Sequence, residues 1–498
     1  KIVMANAGGG LAVATIVPTA GKYYAEFKMT AGNPSYGYVG VTPVTTNSKA
    51  PAYMTSAVNS YAYYGYNGQI ITYPNDQVLS TEAAYGTNDV VGVAIDYDNS
   101  TIKWYKNNAL QYTKTSAVLT DVTFGFSDSS GGTAQTMEIN FGQKGFAYTP
   151  PSGYTTLSTA NLPEPAIPLP SANFNTVLYT GNNADDRTIT TGMQSDFVWI
   201  KTRNATNYHN LFDKVRGAGK VIYSNNTDAE STRSDSLTAF LSTGFTIDQN
   251  ASYNDLNGSD HTYVSWNWKA NGAGSTDTSG DIDATVSANQ AAGFSVVNYV
   301  PNGTASATVP HGLGVAPEMV FYKRYNSTSS WFCWTTLIDG SDDYLSLNTN
   351  AVKENVSQAG GTSFTSSFIR ATNYANNSEA VAYCFVSKPS FSKVGIYTGN
   401  GNASGPFVNL GFKPAFVMVK RTDATAYWTM FDNARSPFNE VNKEVYANEP
   451  QAETTSYKVD FLSTGFKFRN TGNDVSTNDG VYLYLAFAES PFKYANAR

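Results

Sequence analysis

Hydrophobic and polar residues alternate along short stretches of the chain, a pattern typical of β-strands with one face on a core and the other in water. In the first third, residues 22–28 read Lys-Tyr-Tyr-Ala-Glu-Phe-Lys and residues 90–96 read Val-Val-Gly-Val-Ala-Ile-Asp. Asp, Asn, Ser and Gly separate such stretches, as in residues 96–108, and these residue types favour tight turns. The pattern predicts an all-β protein.

The last strong stretch, residues 481–487, is hydrophobic on both of the faces that a strand would present. Val481, Leu483, Leu485 and Phe487 share one face, and Tyr482, Tyr484 and Ala486 share the other. Because both faces are apolar or aromatic, we expect this strand to be covered on both sides.

Part of the pattern occurs twice in the same order. The hexapeptide Phe-Leu-Ser-Thr-Gly-Phe occupies 240–245 and 461–466, and Tyr-Thr-Gly-Asn precedes it at 179–182 and 397–400. The opening Tyr leads the first Phe by 61 residues in one copy and by 64 in the other. This spacing indicates an internal repeat.

Further stretches between these marks stay in register, and a more diverged third copy lies in the middle. The corresponding stretches are 197–201, 319–323 and 416–420 for a first strand, 211–213, 331–334 and 430–432 for an aromatic strand, and 263–268, 381–385 and 482–487 for a closing strand. We therefore expect three tandem small β-sandwich modules, at 172–270, 293–393 and 394–498. The short gap between the second and third predicts direct stacking, like beads in a row.

Residues 1–160 do not share this module. Their successive strands resemble those of a SPRY domain, a concanavalin-like jelly-roll sandwich, and the stretches that carry the resemblance are 21–27, 38–41, 88–96, 102–107 and 140–143. SPRY domains are generally binding modules without catalytic residues, so the resemblance implies recognition.

The chain begins at Lys1, and we expect a further segment before it.

Two connections follow from composition. Residues 163–170 read Pro-Glu-Pro-Ala-Ile-Pro-Leu-Pro, which predicts an extended and fairly stiff linker over 161–171. A second linker is expected at 271–292, between the first and second modules.

The modules resemble a repeat of unassigned function that recurs in virion proteins of tailed phages, marine ones especially. Residues 311–317, 409–421 and 486–498 carry this resemblance, and residues 146–154 are similar to the exit of SPRY domains in such virion proteins. The resemblance implies a tail fibre, spike or head appendage on an extracellular particle. It also implies a homo-oligomer, trimeric by analogy with phage fibres, with other virion proteins and a host surface as partners.

Composition supports the strand prediction and narrows the partners. Charged residues make up 14% of the 498 residues and aromatics another 14%, with 34 Tyr, a mixture that favours strands and polar turns. The net charge of -7 and the lack of Lys and Arg clusters argue against nucleic acid as a partner. No run approaches 18 apolar residues, so we expect no membrane insertion. No n-region and h-region pattern is visible before the first domain, so we expect no export signal.

Catalytic chemistry finds little support. His209, His261 and His311 are the only histidines and lie at non-equivalent places, which disfavours a histidine metal site or a Ser-His-Asp triad. His311 heads a Gly-rich turn and is interpreted as a turn residue. Gly8–Gly10 lacks the Lys-Ser/Thr of a phosphate-binding loop. We expect no enzyme, no cofactor and no metal.

Paired acids need separate attention, because a glycan-degrading spike would use two carboxylates. The candidate pairs are Asp96 with Asp98, Asp185 with Asp186, Asp281 with Asp283, and Asp342 with Asp343. All lie in turn-like sequences, so turn hydrogen bonds are favoured over catalysis, with weak Ca²⁺ binding as a further alternative. Asp213 and Asp432 recur after the aromatic strand, where the middle copy has Thr335. Support of the fold is favoured there over a site degraded in one copy.

Cys333 and Cys384 are the only cysteines, and both fall in strand-like stretches. Two buried reduced thiols are favoured, and a disulfide between them stays open.

Tyrosine is dense near the start of the chain, at Tyr53, Tyr61, Tyr63, Tyr64, Tyr66, Tyr73 and Tyr85. A Tyr ring is flat and apolar with a polar tip, which suits stacking on a sugar. The candidate ligand-binding residues are therefore Tyr61, Tyr63, Tyr64, Tyr66 and Tyr73. Their alternation also fits ordinary strand packing.

These observations lead to one main hypothesis, a non-catalytic virion protein that recognises a host surface, through glycans. A purely structural decoration or fibre-building subunit is the alternative. A capsular polysaccharide depolymerase is the least favoured.

Overall fold

The computed structural model divides the chain into two compact units, Lys1–Glu164 and Pro165–Arg498. The division falls inside the predicted linker 161–171. The structure describes residues 2–4, 10–33, 36–44, 54, 58–73, 77–128, 135–249, 255–304, 307–341, 343–355, 364–371 and 378–495. Tyr53, Asp342, Gly8 and Gly9, which were considered above, lie outside these ranges.

The first unit contains thirteen described strands. They are β1 Ile2–Met4, β2 Gly10–Val13, β3 Lys22–Ala31, β4 Gly37–Pro43, β5 Tyr61–Tyr64, β6 Gln69–Thr72, β7 Gln77–Thr81, β8 Val90–Asp96, β9 Thr101–Lys106, β10 Ala109–Lys114, β11 Val122–Asp128, β12 Gln135–Asn140 and β13 Thr155–Thr156. A 3₁₀ turn follows at Thr159–Asn161.

These strands form two sheets. One has the order β1-β12-β3-β8-β9-β10, with β13 added to β3, and the other has the order β2-β11-β4-β5-β6-β7. Trp104 on β9 is fully buried and donates its indole N–H to the carbonyl oxygen of Val39 on β4, at 3.3 Å. The sheets therefore face each other as a sandwich, and the predicted sandwich fold is confirmed.

The second unit is built from strands β14 to β40. Residues 165–270, the first segment, contain β14 Phe174–Thr180, β15 Arg187–Thr190, β16 Phe197–Thr202, β17 Asn210–Asp213, β18 Lys220–Tyr223, β19 Ser231–Thr232, β20 Leu237–Leu241, β21 Gly244–Ile247 and β22 Thr262–Trp268. Residues 271–391, the middle segment, contain β23 Ser275–Asp277, β24 Ala284–Asn289, β25 Phe294–Tyr299, β26 Thr308–Pro310, β27 Met319–Arg324, β28 Trp331–Thr335, β29 Asp343–Leu345, β30 Glu354–Asn355, β31 Phe368–Arg370 and β32 Ala380–Phe385. Residues 392–495, the third segment, contain β33 Ser392–Thr398, β34 Phe407–Asn409, β35 Phe412–Arg421, β36 Thr429–Asp432, β37 Glu444–Tyr446, β38 Val459–Leu462, β39 Gly465–Phe468 and β40 Val481–Pro491. Short 3₁₀ turns lie at Pro170–Ala172 and Phe492–Tyr494.

The strand order of the large sheet is the same in the three segments. The orders are β14-β22-β16-β17-β18 in the first, β25-β32-β27-β28-β29 in the middle and β33-β40-β35-β36-β37 in the third. A smaller sheet accompanies each, with orders β15-β21-β20, β26-β31 and β34-β39-β38. The predicted first, aromatic and closing strands are therefore neighbours in every large sheet.

Each large sheet is buried on both faces. One face packs with the small sheet of its own segment, as Val198 does with Phe245 in the first. The opposite faces of all three large sheets share one central core, to which the closing strands contribute Trp268, Phe385 and Phe487. The expectation that the stretch 481–487 is covered on both sides is confirmed, because Val481 alone of these residues is not buried.

Backbone hydrogen bonds close the three segments into a ring. Glu230 N donates to Tyr325 O and Ser329 N to Thr227 O between the first and middle segments. Lys353 N donates to Thr422 O and Ala426 N to Asn350 O between the middle and third. Glu453 N donates to Arg203 O and Asn207 N to Pro450 O between the third and first. Each boundary has two donors and two acceptors, and these occupy corresponding positions in the three segments.

Two expectations on organisation differ from the structure. The stretch 271–292, predicted as a linker, contains β23 and β24, which extend the middle sheet beyond β25. The three segments form one compact unit in place of a row of independent sandwiches. The reason is that each large sheet has a second apolar face, and the central core is where these faces are buried.

Candidate functional site

The sequence-predicted tyrosines lead to a group of three aromatic rings in the first unit, Tyr38, Tyr64 and Tyr66, which we name the tyrosine ladder. Tyr38 on β4 and Tyr64 on β5 are register partners. Their rings are stacked, with centroids 4.3 Å apart and planes 3° from parallel. The ring of Tyr66 lies 6.0 Å from that of Tyr64. Tyr66 is 64% exposed, whereas Tyr38 and Tyr64 are half-buried.

The β5–β6 turn holds Tyr66 at the end of the ladder. Gly68 has a φ of +75°, and a Cβ atom there would lie 1.9 Å from the carbonyl oxygen of Glu82, so only glycine fits. Its N–H donates to Tyr64 O at 3.1 Å. Asn67 Oδ1 accepts from the backbone N–H of Gln69 at 3.1 Å, a local bond typical of Asn in turns.

The inner end of the ladder rests on a small apolar cluster. Tyr38 and Leu11 pack against the buried side chains of Met54, Ala62 and Ile71. This packing limits the motion of Tyr38, and the stacked Tyr64 is held with it. The inner part of the ladder is therefore supported by the packing of Tyr38.

The other candidate tyrosines lie elsewhere. Tyr61 and Tyr63 are buried, because alternate residues of β5 point into the sandwich. The Tyr61 hydroxyl accepts from Val118 N at 3.0 Å, and the Tyr63 hydroxyl donates to Ala83 O. These contacts correct the expectation that both reach a surface ligand. Tyr73 is half-buried, and Tyr85 is buried with its hydroxyl donating to Gly37 O at 2.7 Å.

Sequence reasoning missed Tyr38 because it belongs to an ordinary strand stretch and not to the tyrosine-dense region. Its cross-strand pairing with Tyr64 joins residues 26 positions apart, and pairing register is a tertiary property. Burial raises the pKa of the Tyr63 and Tyr85 hydroxyls well above the ordinary value. Both are neutral at physiological pH.

The acid pairs bind mainly backbone N–H groups and lysines. Asp96 accepts from Asn99 N at 3.0 Å, the local bond expected for Asp in a turn. Asp98 accepts from Gly21 N at 2.8 Å, and Asp281 accepts from Thr308 N at 2.9 Å, so these two bonds join residues far apart in the chain. Asp343 is buried and pairs with Lys353 at 2.9 Å.

Asp213 and Asp432 are fully buried and pair with Arg216 and Arg435, each at 2.6 Å. Both arginines lie three residues after the acid, on the same segment. Both carboxylates are therefore paired within their own segment and, being fully buried, have no access to a substrate.

The histidines do not come together. His209 is fully buried, and its Nδ1 accepts from Trp199 Nε1 at 2.9 Å. His311 is also buried; its Nδ1 accepts from Leu313 N at 3.2 Å, which fits a turn residue. Within the described ranges, no group of three or more His, Cys, Asp or Glu side chains is arranged to hold a metal ion.

Cys333 and Cys384 are free and buried. Cys333 faces the central core, whereas Cys384 faces the core between the two sheets of the middle segment. The two thiols thus lie on opposite faces of one sheet.

Over the part of the chain that the structure describes, no helix has the length and apolar character needed to cross a bilayer.

Comparison with protein families follows the division into two units. Residues 22–144 match the model of the SPRY domain. Residues 169–491 match the model described as a domain of unknown function, DUF7483. The chain belongs to the DUF7483 family. The DUF7483 match covers all three segments of the ring, and no curated protein matches the chain.

Solved structures that resemble this DUF7483 protein cover about a quarter of it. The SPRY domain of human HERC1 is 18% identical, with a TM-score of 0.25, and the match covers 28% of this chain and 85% of that one. A human SPRY domain is 17% identical, with a TM-score of 0.22 and coverage of 27% and 87%. The carbohydrate-binding module CBM66 from Bacillus subtilis is 14% identical, with a TM-score of 0.19 and coverage of 27% and 85%.

Proposed function

We propose that the protein is a non-catalytic adhesion protein of a tailed-phage virion, a tail fibre, spike or head appendage, and that it binds a host-surface glycan through the tyrosine ladder. The observation that supports this proposal is the ladder itself, in which Tyr38 is stacked on Tyr64 and the exposed Tyr66 lies beside Tyr64. The SPRY match of the first unit supports a binding role.

The ladder suits a sugar for a physical reason. Apolar C–H groups on one face of a pyranose ring pack on a flat aromatic ring, and the phenol hydroxyl exchanges hydrogen bonds with sugar hydroxyls. Tyr has few rotatable bonds, so the entropy lost on binding is small.

The virion location rests on the resemblance of residues 311–317, 409–421 and 486–498 to phage virion modules. We infer from the matching strand orders that the three segments are copies of one module. A homo-oligomer, trimeric by analogy with phage fibres, and other virion proteins complete the proposed partners. Nucleic acid and membrane insertion have no place in this proposal.

A purely structural role is the second candidate. The closed ring favours it, because a unit held by backbone hydrogen bonds at all three boundaries is a rigid building element. In that case the ladder would contact another virion subunit, and the isolated protein would show no saturable attachment to a glycan or a cell.

The deciding experiment measures binding of the full chain to an array of bacterial surface polysaccharides. Tyr66→Ala is expected to weaken binding by at least about tenfold, since one aromatic stacking contact is removed. Leu110→Ala is the matched control, because Leu110 is 53% exposed on the other sheet of the same unit.

Three outcomes would count against the proposal. Equal binding by the Tyr66→Ala chain and the unmodified chain would remove the ladder from the mechanism. The lack of saturable binding to any polysaccharide would favour the structural role. Release of reducing sugar from a bound polysaccharide would show catalysis and overturn the non-catalytic assignment.

A further inference from the structure

A cleft in the second unit has the features of a second ligand site. It has a volume of about 570 Å³, within the range of small-molecule sites. Its lining includes Asn207, Tyr208, Tyr223, Asp228, Asp255 and Pro450. Because Asn207 N donates to Pro450 O at 2.9 Å, the cleft lies where the first and third segments meet.

Two aromatic rings form a corner of the cleft. The ring centroids of Tyr208 and Tyr223 lie 5.3 Å apart, with planes at 56°. Tyr208 is 46% exposed, whereas Tyr223 is 8% exposed. A ligand ring that enters the cleft can therefore contact the exposed ring of Tyr208. The buried ring of Tyr223 supports Tyr208 from behind.

Two carboxylates offer hydrogen-bond acceptors beside these rings. Asp228 is exposed, and its Oδ2 accepts from Asn226 Nδ2 at 2.8 Å. Asp255 is nearly buried, and Arg233 holds both of its oxygens, at 2.8 and 3.0 Å. Each carboxylate has lone pairs for further donors, so the cleft is suited to a ligand with several hydroxyl groups.

The third segment has a corresponding aromatic corner and acid, and there a side chain of the protein binds to the acid. Tyr427 and Tyr446 form the corresponding corner, with ring centroids 4.8 Å apart. Asp474 is the acid that corresponds to Asp255, since each lies eight residues before the first Tyr of the closing strand. The hydroxyl of Tyr457 donates to Asp474 Oδ2 at 2.9 Å.

In the third segment, then, a hydroxyl-bearing ring from the chain itself bonds to the acid. In the first segment, the guanidinium of Arg233 bonds to both oxygens of the corresponding acid, Asp255. The cleft lies beside this pair and is lined by Tyr208, Asp228 and Asp255.

We propose that the cleft of the first segment binds one sugar residue, with a face of the pyranose ring on Tyr208 and hydroxyl groups donating to Asp228 and Asp255. The site extends the proposed glycan recognition to the second unit, and it is independent of the tyrosine ladder. A phenolic side chain from a protein partner is the other hydroxyl-bearing ring that this corner could hold. The number of acceptors favours the sugar, because a phenol donates only one hydrogen bond.

The test uses the full chain with Tyr66→Ala, so that the ladder does not contribute. Saturation-transfer NMR is recorded with the methyl glycosides of glucose, galactose and mannose as probes. We expect saturation of at least one hexoside, and a loss of affinity of at least about tenfold when Tyr208→Ala is added. Asp228→Asn is expected to weaken the same signal. The side chains of Tyr208 and Asp228 are both exposed, so we expect neither substitution to unfold the second unit.

The matched control is Tyr427→Ala, at the corresponding position where Tyr457 already bonds to the acid; it is expected to leave the signal unchanged. No saturation of any of the three hexosides would overturn the proposal, as would equal loss in the Tyr208→Ala and Tyr427→Ala chains. Binding of p-cresol without any hexoside would overturn the sugar assignment in favour of a phenolic partner. Hexoside saturation that is present in the unmodified chain and vanishes with Tyr66→Ala alone would support the ladder and reject the cleft.

Discussion

Tyr383 of the middle segment donates its hydroxyl hydrogen to Oδ2 of Asp213 in the first, at 2.7 Å. The same carboxylate accepts from Arg216, through the backbone N–H at 2.8 Å and through Nε at 2.6 Å. At the next boundary, Trp266 Nε1 donates to Asp432 Oδ2 at 3.1 Å. A buried acid in one segment is thus paired with a donor on the closing strand of another.

The remaining boundary lacks both members of this pair. Thr335 stands at the position of Asp213 and Asp432, and Leu485 stands at the position of Tyr383 and Trp266. The acid and its donor occur together or are both replaced. This relationship explains why the middle copy differs: a buried carboxylate without a donor would be destabilising.

Replacement of the donor tests the first of these pairs. Tyr383→Phe is expected to lower the free energy of unfolding by about 1–3 kcal/mol, because a buried charged acceptor loses one partner. Tyr344→Phe is the control, since its hydroxyl donates to Glu354 at an exposed site. Urea unfolding followed by near-UV circular dichroism measures both. Equal stability of the two variants would show that the contact between segments contributes little.

Installation of an acid tests the boundary that lacks one. Thr335 is fully buried, and Thr335→Asp is expected to cost about 3 kcal/mol or more because the carboxylate would have no donor from the closing strand. Adding Leu485→Tyr is expected to recover part of this loss. A double-mutant cycle from chemical unfolding gives the coupling energy, and additive effects would contradict the pairing.

Three buried lysines at corresponding positions make stability depend on pH. Their ammonium or amine groups each face two carbonyl oxygens: Lys201 those of Thr202 and Ala205, Lys323 those of Thr227 and Ser329, and Lys420 those of Arg421 and Asn350. A neutral amine has two N–H donors, so it satisfies this arrangement. Burial lowers the pKa of Lys201 to about 7, with a contribution from Arg435. Burial also lowers the pKa of Lys323 and of Lys420 to about 8.

The direction of the pH effect follows from the protons bound by each state. An unfolded lysine has a pKa of about 10.4, so between the folded and unfolded pKa values the unfolded chain binds more protons. Stability is therefore expected to rise from about pH 7 to about pH 9.5. Above about pH 10 it falls again, because unfolded tyrosines ionise before the buried ones.

Urea unfolding between pH 6.5 and pH 9.5, at about half-unit steps, measures this slope. Lys201→Met is expected to reduce the slope by about one proton. Lys144→Met is the control, because Lys144 is exposed in the first unit. Stability that falls across this window in the unmodified chain would contradict the prediction.

The two cysteines are expected to be unreactive and unpaired in the folded chain. Burial raises the pKa of Cys384 to about 12 and that of Cys333 well above its ordinary value, and the thiolate is the reactive form. Iodoacetamide at pH 8 should label neither residue until guanidinium unfolds the chain, as peptide mass spectrometry would show. A disulfide-linked peptide after mild oxidation of the folded chain would contradict their placement on opposite faces of the sheet.

The sequence by itself determined the strands, the turns between them and the sandwich of the first unit, because alternation and turn chemistry are local. It also placed Tyr64 and Tyr66 in a candidate surface, although it did not separate them from the inward-pointing Tyr61 and Tyr63. The structure alone decided the ring, the stacking of Tyr38 on Tyr64, and the cleft at Tyr208. Each of these depends on contacts between strands or segments far apart in the chain, and a period of two indicates that a face is apolar without indicating what covers it.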